Sequence, residues 1–83
     1  MSSSINEVTE MIDGVAGDPS VPRNIRKTLT DAKDRLLSKE EDNIKVSAAT
    51  YLIESISDDV NMPAHARTQI WAIISALESI KSK

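Results

Sequence analysis

The chain repeats one pattern of apolar residues after 41 positions, and this period restricts the folds open to its 83 residues. Moving the second half back by 41 positions places an apolar residue over every member of an apolar seam in the first half. The seam of the first copy is Ile5, Val8, Ile12, Val15, Ile25, Leu29, Ala32 and Leu36, and that of the second is Val46, Ala49, Ile53, Ile56, Ala66, Ile70, Ile73 and Leu77. Steps of three and four residues indicate amphipathic helices. The period therefore predicts four helices, two in each copy.

The ends of the first helix are predicted from three residues. Ser4 and Glu7 have the spacing of a capping box, in which each side chain satisfies a backbone N–H at the start of a helix. Gly17 follows the last seam residue of this helix, and glycine often ends a helix by adopting the left-handed conformation. The first helix is therefore expected to begin at Ser4 and to end at Gly17.

The second helix of each copy has the same start signals. Ser20 precedes Pro22 in the first copy, and Asn61 precedes Pro63 in the second. Serine and asparagine are good N-caps, and proline is tolerated in a first turn because its missing N–H would be unpaired there. A polar run at 38–43 is expected to connect the two copies.

Short turns within each copy place consecutive helices antiparallel, as two αα-hairpins. Two hairpins are too few for a solenoid, in which each hairpin buries its apolar face against the next. Narrow seams with near-heptad steps instead favour a closed bundle. We therefore predict an all-α, antiparallel four-helix bundle made by internal duplication. It forms a single domain over 1–83, with repeats at about 3–38 and 44–80.

Composition excludes several kinds of chemistry. The chain has no cysteine and a single histidine, so disulfides, thiolate metal sites and histidine relays are ruled out. His65 stands beside an acidic turn but lacks the spacing of a helical metal site, and we expect it to be a surface residue. We predict no catalytic, cofactor, metal or small-molecule site, and therefore no enzyme. No secretory signal or membrane-spanning apolar run is present, so the expected location is cytoplasmic.

The second copy has a broader apolar surface than its seam requires. Trp71 and Ile74 are three residues apart and are expected on one face of the fourth helix. One interpretation is that Trp71 closes an end of the bundle. The other is an apolar patch that binds a second copy of the chain or another protein, and we favour self-association. The patch residues replace polar ones of the first copy: Ile44, Tyr51, Trp71 and Ile74 in place of Ser3, Glu10, Thr30 and Lys33.

The second helix is the basic element, and it suggests an alternative function. Arg23, Arg26 and Lys27 crowd its N-terminal end, where positive charge opposes the helix dipole. Such a cluster could contact an anion or a nucleic-acid backbone. The favoured function is a small helical protein-interaction module, and backbone binding by an accessory protein is the alternative.

Two acidic turn residues each precede an arginine by eight positions. Asp18 is followed by Arg26, and Asp59 by Arg67. A bidentate pair between carboxylate and guanidinium would brace each hairpin. We expect a structural rather than a ligand-binding role for these pairs.

The residues around the two turns resemble those of known families. The segments DPSVPRNIR (18–26) and DVNMPAHAR (59–67) resemble those of a small family of uncharacterised archaeal proteins. The resemblance extends from residue 5 to residue 83. That resemblance implies a compact, duplicated helical bundle and no assigned activity. A weaker likeness, carried by 18–23 and the 41-residue period, is to the HEAT and armadillo helical repeats.

Overall fold

The computed structural model describes residues 2–81, with side chains from residue 5 onward, and this part of the chain consists of helices joined by turns, without strands. The four helices are α1 (Ser2–Ala16), α2 (Arg23–Leu36), α3 (Asp42–Ile56) and α4 (Ala64–Lys81). Each copy of the sequence pattern contributes two of them. The prediction of an all-α protein with four helices is confirmed.

The predicted seams form the core. Every seam residue is buried, and Ile12 and Ile53 are completely excluded from solvent. Val21 and Met62, which lie in the turns 41 positions apart, join the same cluster. Nine pairs of core residues are therefore buried at equivalent positions of the two copies. Burial of each large aliphatic side chain contributes about 1.5–3 kcal/mol to the stability of the fold.

The helices enclose this core as a ring. α1 packs against α2 and α4, and α3 packs against the same two helices. The contacts between α2 and α3 are the most extensive. None of the described helices is long and apolar enough to cross a membrane.

The two hairpin turns repeat the same backbone hydrogen bonds. The Val21 N–H donates to the Asp18 carbonyl at 3.1 Å, and the Met62 N–H donates to the Asp59 carbonyl at 3.2 Å. The two donors are 41 positions apart, and so are the two acceptors, so the two turns share one backbone arrangement.

The two ends of α1 differ from prediction. The helix begins at Ser2, so Ser4 lies inside it rather than at its cap; the Ser4 side chain is outside the described residues. The helix does end just before Gly17, but no glycine in the described chain has a positive φ. The Gly17 N–H donates to the Asp13 carbonyl at 2.9 Å, which continues the helical bonding pattern for one more residue. Gly17 therefore ends α1 without the predicted left-handed conformation.

Ser20 does not cap α2. Its backbone N–H and its hydroxyl both donate to Asp18 Oδ1, at 2.9 and 2.7 Å. Pro22 is the residue before the helix, and its carbonyl accepts the Arg26 N–H at 3.0 Å. In the second turn the Asn61 N–H donates to Asp59 Oδ1 at 2.8 Å. Aspartate carboxylates therefore organise both turns, because each accepts the N–H two residues ahead.

Candidate interaction surface

Three of the four predicted patch residues are exposed on α3 and α4. The exposed fractions are 46% for Ile44, 74% for Tyr51 and 52% for Trp71. Ile44 and Tyr51 are two helical turns apart and share the outer side of α3, while Trp71 lies on α4, which packs against α3. We call Ile44, Tyr51 and Trp71 the α3/α4 surface. Because half of the Trp71 side chain is in solvent, the interpretation that it closes an end of the bundle is wrong.

Ile74 is not part of this surface. Only 5% of it is exposed, and it belongs to the core. It lies four residues after Ile70 and next to Ile73, so it widens the buried stripe of α4 on one side. The prediction that Ile74 shares an exposed face with Trp71 is therefore wrong.

The basic end of α2 is less open than predicted. Arg23 and Lys27 are exposed, but Arg26 is only partly so, and its Nε is buried without a hydrogen-bond partner. Lys27 Nζ lies 3.5 Å from Asp31 Oδ2, one helical turn away. The three cations thus differ in exposure, and one of them is paired with a carboxylate.

The predicted aspartate–arginine pairs do not form. The Asp18 carboxylate accepts hydrogen bonds from Ser20, so it is not directed at Arg26. In the second copy, Arg67 does brace its turn, but Nη2 donates to the backbone carbonyl of Asp59 at 3.2 Å rather than to the carboxylate.

A cluster of three polar side chains joins the turn between α1 and α2 to the start of α4, and the sequence pattern does not indicate it. His65 Nε2 lies 2.7 Å from Asp18 Oδ2, and the Ser20 hydroxyl lies 3.4 Å from the same nitrogen. The hydrogen bond from the Ser20 hydroxyl, followed by that from His65, lowers the pKa of Asp18 from 3.8 to about 2. Both bonds favour the charged carboxylate. No local pattern signals this contact, because the two residues are 47 positions apart.

The order of these residues is not that of a hydrolase triad. Asp18 stands between Ser20 and His65, whereas a triad places the histidine between the serine and the acid. The Ser20 hydroxyl donates its proton to Asp18 at 2.7 Å and is therefore not oriented toward a base that would activate it. Among the described residues, no group of three or more His, Asp or Glu side chains could hold a metal ion.

A surface groove lies between α1 and α4, and the sequence analysis did not predict it. It contains two neighbouring cavities of about 580 and 270 Å³. Both are lined by Glu10 and Met11, and we call the two cavities together the α1/α4 groove.

These features define a small all-helical protein with an aliphatic core, an exposed aromatic pair on α3 and α4, and a groove between α1 and α4. The sequence matches the family described as "Uncharacterised protein family (UPF0147)" over residues 1–80, and the chain belongs to this family. The prediction of an uncharacterised archaeal family is thereby confirmed.

Several relatives are similar along most of their length. A UPF0147 protein of Methanocaldococcus jannaschii is 47% identical over 75 residues, which cover 89% of this chain and 81% of the relative. A UPF0147 protein of Archaeoglobus fulgidus is 38% identical over 76 residues, covering 92% and 87%. The function of the family is unknown.

Solved structures share the fold. A crystal structure from the same family in Thermoplasma acidophilum matches with a TM-score of 0.88 at 33% identity, covering 94% of this chain and 93% of that one. The crystal structure of the unknown-function protein MMP1188 matches with a TM-score of 0.88 at 39% identity, covering 94% and 90%.

Proposed function

We propose that this chain is a non-enzymatic interaction module that self-associates through its α3/α4 surface. One observation carries the proposal. At positions that are solvent-exposed in both copies, the second hairpin has Tyr51 and Trp71 where the first has Glu10 and Thr30. The backbone position is equivalent, and only the side chain has changed from polar to aromatic.

Exposed aromatic residues are unfavourable in a monomer and favourable at an interface. Tyr and Trp are enriched where proteins meet, because each buries a large apolar area while keeping one polar atom available for hydrogen bonding. This chain has a single Tyr and a single Trp, and both are more than half exposed. A two-fold dimer would cover both at once, since such an interface uses the same patch on each subunit.

We infer that the fold arose by duplication of an αα-hairpin with antiparallel neighbours. The nine equivalent pairs of buried residues support the duplication. The α1/α4 groove supports the antiparallel direction: one of its cavities combines Glu7 with Ile80, and the other combines Gly14 with Gln69. As α1 proceeds toward its C-terminus, α4 proceeds toward its N-terminus. The duplication can be tested directly in the family's structures, by superposing the segment equivalent to residues 5–36 on the segment equivalent to residues 46–77.

The mass in solution tests self-association. The variant Tyr51→Glu/Trp71→Thr gives the second hairpin the residues of the first, and sedimentation equilibrium should show an oligomeric wild type and a monomeric variant. Val60→Ser is the matched control, because it removes an apolar side chain that is 88% exposed in the turn before α4. The control should keep the wild-type mass. A monomeric wild type, or a double variant that remains an oligomer, would refute the proposal.

Trp71 also provides an optical measurement of the same equilibrium. It is the only tryptophan, so its fluorescence reports on this surface alone. If Trp71 is buried between subunits, diluting the protein should shift its emission to longer wavelength, and Val60→Ser should behave in the same way. An emission spectrum that does not change while the mass falls would place the interface elsewhere.

The alternative proposal is nucleic-acid backbone binding by α2, which rests on exposed Arg23 and Lys27. It is the weaker proposal, since Lys27 is already paired with Asp31. Phosphate contacts weaken as salt rises, because binding releases condensed counterions. The alternative therefore predicts that labelled single-stranded RNA binds at low salt and that Arg23→Glu/Lys27→Glu abolishes binding. Absence of binding at low salt would exclude it.

A further inference from the structure

The α1/α4 groove has an apolar lining and an acidic side. The larger cavity is lined by apolar atoms of Val8, Met11, Ala76 and Ile80, among others. Glu7 and Glu10 line the same cavity from α1. α1 contains no lysine, arginine or histidine, so no cation of this helix offsets these charges. The groove therefore presents an apolar strip beside negative charge.

Small side chains keep the groove open. Gly14, Ala72 and Ala76 line it, and a Cβ added at Gly14 would have no atom within 4 Å. The equivalent interface, between α3 and α2, has larger side chains at the positions that correspond to Gly14, Ala72 and Ala76. These are Ser55, Asp31 and Arg35. The three small residues of the groove therefore have larger counterparts at the equivalent positions of the other half.

We propose that the α1/α4 groove binds a helix of another protein, one whose apolar stripe is flanked by lysine or arginine residues. Helices with an apolar face commonly dock into such grooves, with anchors spaced three and four residues apart. The lining residues on α4 run from Gln69 to Ile80, a length of roughly 16 Å, or about three helical turns. The basic flank of the bound helix would face Glu7 and Glu10, and this complementarity selects a basic partner over an acidic one.

The chain's own helices do not fit this description. α2 is the basic helix, but its buried residues are all turned into the core, and no large apolar side chain within α2 is exposed. Among the side chains that the structure describes, the exposed large apolar ones lie outside α2, at Leu37, Ile44, Tyr51, Val60 and Trp71. The groove is also a different surface from the one proposed for self-association, so the two proposals can fail independently.

Binding of synthetic helical peptides tests the groove. The probe is a peptide of leucine and lysine with its leucines on one helical face, measured by fluorescence anisotropy. A peptide of the same pattern with glutamate in place of lysine tests the charge, and a scrambled leucine–lysine peptide tests the apolar stripe. We expect the first peptide to bind at least about tenfold more tightly than either control. Equal binding of the scrambled peptide would show general charge attraction and would overturn the proposal.

Matched variants locate the bound peptide. Glu10→Lys should weaken binding by about tenfold or more. The control is Glu54→Lys, at an exposed position of α3, which changes the net charge of −3 by the same amount. It should have less than about a threefold effect. Gly14→Leu fills the groove without changing charge and should also weaken binding. Ala72→Gln, at an exposed alanine, serves the same purpose if circular dichroism shows that Gly14→Leu is poorly folded.

One further variant separates the two surfaces. Tyr51→Glu/Trp71→Thr should bind the leucine–lysine peptide as the wild type does, because those residues lie on the α3/α4 surface. Loss of binding in this variant, or unchanged binding in Glu10→Lys and in both groove-filling variants, would overturn the assignment of the peptide to the groove.

Discussion

The side chains of Asp18 and His65 join the first hairpin turn to the first turn of α4, with Asp18 Oδ2 and His65 Nε2 2.7 Å apart. The pair is partly open to solvent, with 25% of the Asp18 side chain and 59% of the His65 side chain exposed. Ser20 supports the same carboxylate from within the turn. The contact places the start of α4 beside the end of α1, and it is a polar link between the two halves of the chain.

The charged carboxylate of Asp18 should stabilise the fold, and this stabilisation should be lost in acid. Because its pKa is lowered to about 2 in the fold, its contribution is fully present above its ordinary value of 3.8 and is lost as the pH falls toward 2. Asp18→Asn removes the charge with little change of shape. We expect the variant to be less stable than the wild type at pH 6, and the difference should shrink between about pH 4 and pH 2. Urea unfolding across this pH range measures it.

Asp59→Asn is the control for this experiment. Asp59 accepts the Asn61 N–H in an equivalent turn, but the described contacts give its carboxylate no serine hydroxyl or histidine partner. Its difference from the wild type should therefore depend less on pH. A difference for Asp18→Asn that stays constant from pH 6 to pH 2 would contradict the role assigned to this carboxylate.

The two copies should contribute equally to the core. Ile12 and Ile53 are both fully buried at equivalent positions. Replacing either with alanine should cost about 2–5 kcal/mol, a large part of the stability of a domain this small. Leu37→Ala is the matched control, because Leu37 is 57% exposed, lies outside the α3/α4 surface and loses the same number of carbon atoms. Urea unfolding should show similar losses for the first two variants and a much smaller loss for the third; a loss at Leu37 equal to that at Ile12 would contradict the observed burial.

The two glycines should respond differently to alanine. Gly14 lies within α1, where a Cβ would meet no other atom, so Gly14→Ala should stabilise the protein by about 0.5–1 kcal/mol through helix propensity. At Gly17 the Cβ would lie 3.2 Å from the Asp13 carbonyl oxygen, so that oxygen would have to shift. Thermal unfolding should show a higher midpoint for Gly14→Ala only. A similar increase at Gly17 would show that the Asp13 carbonyl moves without cost.

The core could be predicted from the sequence, because burial follows directly from periodicity. All the seam residues are buried, and the period of 41 also pairs Val21 with Met62. The three-residue spacing from Trp71 predicts an exposed Ile74, but Ile74 is also four residues after the buried Ile70 and is itself buried. A residue at the edge of a buried helix stripe can lie three positions from an exposed residue and four from a buried one. Only the packing of the neighbouring helix then decides whether that residue is buried.

The polar contacts could not be predicted in the same way. The eight-residue spacing predicts that Asp18 binds Arg26, but Ser20 lies only two residues away and donates two hydrogen bonds to the same carboxylate. His65 completes the cluster from 47 positions away, a contact that depends on how the two hairpins meet. The α1/α4 groove likewise arises from small side chains on two helices far apart in sequence. Sequence spacing shows which residues share a helix face, but not the distance between faces of different helices.

The equivalent arginines of the two copies should differ in their effect on stability. Arg67 Nη2 donates to the Asp59 carbonyl at 3.2 Å, so Arg67→Met should destabilise the fold by about 0.5–1.5 kcal/mol, the usual value of one net hydrogen bond. Arg26 buries its Nε without a partner. Methionine at this position retains an apolar chain that can pack on the surface and removes the unsatisfied atom, so Arg26→Met should be neutral or stabilising. Urea unfolding of both variants in parallel measures the contrast, with each variant serving as the other's control. A larger loss for Arg26→Met than for Arg67→Met would mean that the Arg26 guanidinium makes the stronger bond, and that the two turns are braced in different ways from those described.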